Sequence, residues 1–281
     1  MKKLMAILLL LALCLPFWTR SVSAAESTVT LFGQEFDSSA EFLDLSGIAI
    51  EDLTQLEAAL SAFPNLKQVD MVDCGISNEE MDALNRRHPG IKFVWALYIR
   101  GIMLRTDATI FMPGKYGVRI YDSDCALLQY CHDLICIDLG HMPITDCSFL
   151  YGTPQVKYLI LADTSLQDIS PIGTLTKLEF LEIFNMGIVD YWPLTNCTSL
   201  KDLNISYTTF LDCTPLYQMT WLERLMMVGS GFNWDEQAQF RAELPFISIV
   251  FESRSATDKG WRYSPNYYAM RDLLGMHYMI L

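Results

Sequence analysis

Six positions along the chain refill with the same kinds of residue at a step of 22 residues. Leu178, Leu181, Ile183, Ile188, Asp190 and Leu194 form one set. Val156, Leu159, Leu161, Leu166, Asp168 and Ile172 precede it, and Leu134, Ile137, Leu139, Ile144, Asp146 and Leu150 come one step earlier still. Leu200, Leu203, Ile205, Phe210, Asp212 and Leu216 follow, and Leu222, Leu225, Met227 and Phe232 begin a further unit before the pattern changes. A fixed period over four units marks a repeat; a chance amphipathic match would drift out of register. Positions 4 and 6 of each unit alternate with period 2, which predicts a short strand with one buried face. One such turn cannot bury that edge alone, so successive strands must pair in parallel around a continuous core.

The L-x-x-L-x-L spacing and the short I-x-D-x-x-x-(I/L) second half resemble the leucine-rich repeat family, in its internalin-type variety. That resemblance is strongest over 134–232. It implies an α/β solenoid with a parallel sheet on the concave face, an irregular, 3-10 or short helical convex side, and capped ends. Pro143, Pro171, Pro193 and Pro215 recur on the connecting side, where backbone without a donor is tolerated. The family places Asn at position 9, whereas this chain has Met142, Thr164, Met186 and Thr208. Threonine supplies part of that turn bonding and methionine none.

The N-terminal part follows the same grammar more loosely. Ala40, Leu43, Leu45, Ile50, Asp52 and Leu56 fit the template, and Leu66, Val69, Met71 and Ile76 fit its first half after a step of 26. Ser77-x-x-Glu80 reads as a capping box opening a helix to about Arg87, followed by Pro89-Gly90 and a strand from Ile91 to Ala96. Asn233-x-x-Glu236, a helix to about Glu243, Pro245 and a strand from Phe246 to Phe251 repeat that plan. Residues 97–130 match no register; "GIMLR" and "ATIFM", separated from "YGVRIY" by Pro113-Gly114-Lys115, predict an inserted hairpin. Trp261, Tyr263, Tyr267, Tyr268 and Met270 in the aromatic tail predict a cover for the open solenoid end, with Phe32, Phe36 and Phe42 at the other end. The expected divisions are 1–24 signal peptide, 25–96 N-terminal cap and irregular repeats, 97–133 insertion, 134–251 regular repeats and 252–281 C-terminal cap.

Lys2-Lys3, the apolar run from Leu4 to Trp18 and Val22-Ser23-Ala24 have the form of a secretory signal peptide cleaved after Ala24. The run is too short to favour a membrane span. A secreted or cell-surface protein without membrane insertion after cleavage is therefore expected. Loss of Lys2, Lys3 and Arg20 takes the formal charge from −13 to −16. With no Lys/Arg cluster, such a chain repels phosphate backbones, which argues against nucleic acid. Seven cysteines remain after cleavage. Cys147 and Cys213 share position 14 and Cys131 and Cys197 share position 20, three repeats apart, or roughly 14 Å at the strand spacing. A disulfide needs Cα atoms within about 7 Å, so neither pair bridges; pairing among Cys125, Cys131 and Cys136 stays open.

No catalytic, metal or cofactor site emerges. The histidines at 88, 132, 141 and 277 lack zinc-ligand spacing. Cys131-His132-Asp133 has the right chemistry for a hydrolase in the 97–133 region, but adjacent side chains on a strand diverge. The row Asp146, Asp168, Asp190, Asp212 fits acceptors for free N–H groups of the turn that follows better than a cation ladder. The repeats differ from one another at positions 3, 5, 7 and 8. There Tyr158, Ile160, Phe180 and Phe184 make an apolar patch edged by Glu182, Asp202 and Asp163, the composition of an interface core with a polar rim, and Asn204, Tyr207 and Arg224 belong to the same face. The sequence reading is non-covalent binding of a protein or glycan through this concave face; a self-associating envelope protein is the alternative.

Overall fold

The computed structural model describes residues 27–258 and 260–275, so the signal segment 1–24 lies outside the described residues. The described chain opens with an antiparallel hairpin, β1 (Thr28–Leu31) and β2 (Gln34–Asp37), which buries Leu31 against the core and packs Phe32 and Phe36 on it. Phe42 stays half exposed. A three-stranded parallel sheet follows, β3 (Phe42–Asp44), β4 (Gln68–Asp70) and β5 (Lys92–Val94), backed by α1 (Thr54–Ala59) and α2 (Asn78–Arg87). Next comes an antiparallel pair, β6 (Ala96–Ile99) and β7 (Ile102–Arg105), closed at Arg100-Gly101.

The second sheet has seven parallel strands in chain order: β8 (Ile110–Phe111), β9 (Cys136–Asp138), β10 (Tyr158–Ile160), β11 (Phe180–Glu182), β12 (Asp202–Asn204), β13 (Arg224–Met226) and β14 (Ser248–Val250). Its register is that of the repeat, with Ile137, Leu159, Leu181, Leu203 and Leu225 side by side. These position-4 residues, and Leu139, Leu161, Ile183, Ile205 and Met227 at position 6, are buried in one continuous core. The return side is α3 (Asp122–Cys125), 3-10 turns at Ser148–Gly152, Ser170–Thr174 and Trp192–Asn196, then α4 (Thr214–Gln218) and α5 (Trp234–Glu243). The last helix is α6 (Pro265–Leu273). The fold is an α/β leucine-rich-repeat solenoid.

Polar side chains serve the turns where the repeat needs them. Asp146, Asp168, Asp190 and Asp212 each accept the backbone N–H two residues on, at 2.8–2.9 Å. At position 9 the Thr164 and Thr208 hydroxyls donate to the carbonyls of Leu161 and Ile205. Position 8 is left-handed in every regular unit: His141, Asp163, Asn185 and Tyr207 have φ of 54–62°, and Gly229 takes 69° in the next. Ser77 and Asn233 close both predicted capping boxes, on helices that end at Arg87 and Glu243.

Two expectations change, and one open question is answered. Residues 97–133 are not one insertion: only the hairpin β6–β7 interrupts the solenoid, while β8 pairs with β9 as one more turn whose step, Ile110 to Cys136, is 26 rather than 22. Phe111, Ile120 and Leu128 fill its core at stretched spacing, and "YGVRIY" forms no strand because Pro113–Tyr116 turns the chain away. Trp261, Tyr267 and Met270 do not cover the solenoid end but fold back across the concave sheet, and Tyr263 stays exposed. The described cysteines, Cys125, Cys131 and Cys136 included, are free thiols.

Candidate functional site

Each strand of the large sheet aims positions 3 and 5 away from the core, where they make a trough. Residues 256–258 and 260–274 lie along it. Trp261 is buried against Phe180 with ring centroids 5.4 Å apart, and Tyr267 meets the same ring at 6.0 Å. Met270 and Leu274 complete a second apolar cluster with Cys136, Tyr158, Ile160, Ala162 and Met226. Ser264 accepts the N–H of Tyr267 and precedes Pro265, so α6 has a defined start.

Polar groups fix the orientation of this segment. Arg224 grips Asp202 through Nε and Nη2 at 2.8 and 3.0 Å and donates to the carbonyls of Gly260 and Trp261. Its guanidinium also stacks 4.5 Å from the Trp261 ring. Asn204 donates to the Ala256 carbonyl at 2.7 Å. The Trp261 indole N–H donates to Glu182 Oε1 at 2.6 Å. Glu182 is 1% exposed, and its Oε2 has no hydrogen-bond partner among the described residues; Arg262 Nη2 stands 4.0 Å away. Burial lifts the Glu182 carboxyl above the usual glutamate range, against the pull of Arg262 and the Trp261 N–H, and Asp138 adds to the rise. Burial raises Asp138 as well.

The expected concave residues thus meet at one place but do not form an open face. Tyr158, Ile160, Phe180, Glu182, Asp202 and Asn204 are all under 10% exposed beneath the tail, with Arg224 and Phe184 partly buried. Tyr207 remains 44% exposed. Beside it runs an exposed polar row in which His141 Nδ1 and Asn185 Nδ2 lie 2.7 and 2.6 Å from the two oxygens of Asp163. These two bonds hold the Asp163 carboxyl below the usual range. The sequence reading missed the tail as occupant of the trough; the signal was present, since Ser264-Pro265 starts a helix and the aromatics that follow match the apolar patch.

The hydrolase reading gains no geometry. Cys131 is buried with its thiol pushed up to about 12, His132 bonds Gly152 and Asp82, and Asp133 pairs with Lys92. A thiol held that far above neutrality is not a nucleophile at ordinary pH. Among the described residues no cluster of His, Cys, Asp or Glu has metal-site geometry. Among the same residues no helix is long and apolar enough to cross a membrane.

No family model and no curated protein matches the chain. Among solved structures it is similar to an internalin, InlF, of Listeria monocytogenes at 16% identity and TM-score 0.42, over 77% of this chain and 68% of that one. An internalin C2 of the same species aligns at 20% identity and TM-score 0.39, over 55% of this chain and 78% of that one. A leucine-rich-repeat protein of Leptospira interrogans aligns at 17% identity and TM-score 0.42, over 76% of this chain and 55% of that one. The fold assignment rests on this chain's own 22-residue period and parallel sheet.

Proposed function

We propose that this is an exported, non-enzymatic repeat protein that binds a protein partner non-covalently through the concave side of its regular repeats. One observation carries the reading: the trough grips a helical segment from outside the repeats through side chains that differ from strand to strand. A face kept only for solvation would not combine a buried aromatic, an ion pair and oriented amides. Phe184 packs against the cluster that holds the gripped segment and is partly open, and Tyr207, His141, Asp163 and Asn185 are exposed to a ligand.

The test is binding of the full mature chain to surface-protein extracts and to a glycan array, beside Phe184→Ser and Tyr207→Ser. A saturable protein ligand weakened by both changes, with the circular dichroism unchanged, supports the reading. Binding that neither change affects removes the concave face as the site. Ligands found on the glycan array alone change the partner class. A second reading, self-association, is favoured by Phe246, which is 95% exposed beside the edge strand β14.

A further inference from the structure

We propose that residues 256–274 are an autoinhibitory intramolecular ligand, and that the trough recognises a partner's helix carrying a tryptophan-arginine pair ahead of a tyrosine, methionine and leucine stripe. This rests on the concave-face reading above and names its ligand. Three observations carry it.

The segment lies outside the repeat and is held by non-covalent contacts alone. Trp261, Tyr267, Met270 and Leu274 supply its apolar side, while Gly260 and Trp261 offer carbonyls to Arg224. Residues 251–255, which connect it to β14, contain no helix or strand. Such a segment can leave without breaking any strand pairing of the solenoid.

The grip is chemically incomplete. Glu182 has a buried oxygen that accepts no hydrogen bond, and Arg262, which faces it, remains half exposed at 4.0 Å. Asp138, two strands away, is also desolvated without an ion pair among the described contacts. The trough therefore holds two desolvated carboxyls that its occupant leaves without a closely seated donor. A ligand with a cation seated closer to Glu182 and Asp138 would bind better than the tail does.

The polar anchors suit a peptide backbone. Arg224 and Asn204 bond main-chain carbonyls of Gly260, Trp261 and Ala256 in the turn ahead of α6, contacts that a partner segment with a similar non-helical lead into its helix can reproduce. Specificity then lies in the ring contacts on Phe180 and in Glu182. This is the helix-in-groove mode of recognition, with side-chain anchors spaced along one face.

The experiment uses a fluorescein-labelled peptide of residues 256–275 and the full chain. Anisotropy titrations compare the wild type with Trp261→Ala/Tyr267→Ala and with Ser264→Ala, which loosens the start of α6 and leaves the trough intact. Loosening the tail raises the competent fraction, so the peptide should bind both variants at least about tenfold more tightly than the wild type. A peptide lacking the Trp261 and Tyr267 rings should lose binding, and one with Arg262→Ala should bind more weakly. Equal binding by wild type and both variants overturns the proposal, as does binding indifferent to the peptide's aromatic residues. Exchange of tails between wild-type copies, seen as a dimer in light scattering, overturns the assigned occupant in favour of a second copy. The peptide can bind while the extracts yield no partner; that outcome counts against the proposed function and the partner helix, and leaves only the tail as the ligand of the trough.

Discussion

Asp202 and Arg224 form a bidentate pair in which Asp202 is 1% exposed. Asp202→Ala leaves the guanidinium partly buried without its counterion, which should cost about 3–5 kcal/mol in urea denaturation. Arg224→Met in the same chain should recover part of that loss; an additive double mutant would show that the pair is not coupled. Glu182 sits under Trp261 and is faced by Asp138, Arg224 and Arg262. Burial holds the Glu182 carboxyl above the ordinary range against the pull of the tail's own Arg262 and Trp261 N–H, so the form in which it is buried holds the proton more tightly. The tail's hold is greatest below the ordinary glutamate pKa and weakens as pH rises towards the raised one. Amide-exchange protection of residues 261–274 should accordingly fall between acid and neutral pH in the wild type and stay level in Glu182→Gln, which keeps an acceptor for the indole. Level protection in both would contradict the linkage. At Gly229, φ is +69° and an added Cβ would lie 2.4 Å from Tyr207 Cδ1. Gly229→Ala should therefore cost about 2–4 kcal/mol, and adding Tyr207→Ala should relieve only the steric share.

The elements divide by how local their causes are. The helices after Ser77 and Asn233 were legible because a capping box joins residues three apart, and the structure shows both reciprocal bonds. Ser77→Ala and Asn233→Ala should each cost about 1 kcal/mol in thermal or urea unfolding, and a change near zero at either would mean solvent replaces the cap. Strands β9 to β13 were legible for a related reason: a fixed step aligns identical positions, so each unit repeats the evidence of the last. Strand β8 was hidden because its turn is four residues longer than the template, and because the hairpin before it shares its apolar composition. Which of "GIMLR" and "ATIFM" pairs with what depends on partners distant in sequence, and periodicity carries no information about that. The left-handed row at position 8 was visible only as a column of unlike residues, His141, Asp163, Asn185 and Tyr207; the shared property is a backbone angle that side-chain type reflects weakly.

At the scale of the whole molecule, charge and edges set how copies meet. The formal charge is −13 and the edge strand β14 has three residues, both of which oppose stacking of chains. Phe246, almost fully exposed beside that edge, favours it. The expected result is a monomer mass in light scattering across a concentration series. A mass that grows with concentration and reverts in Phe246→Lys would establish the self-associating reading instead.

The sequence alone determined the period, the buried positions, the parallel stacking and the turn chemistry, because each follows from residues within one unit or from its copy next door. It also marked the side chains of the concave patch. Only the tertiary structure decided that this patch is covered. Trp261 and Glu182 are 79 residues apart, and nothing in the period of either segment reports on the other. The tail's destination is settled by complementarity: an aromatic stripe without a core of its own, and a sheet face whose Phe180, Glu182, Asp202 and Asn204 are better buried than left in water only when that stripe arrives with matching donors and acceptors.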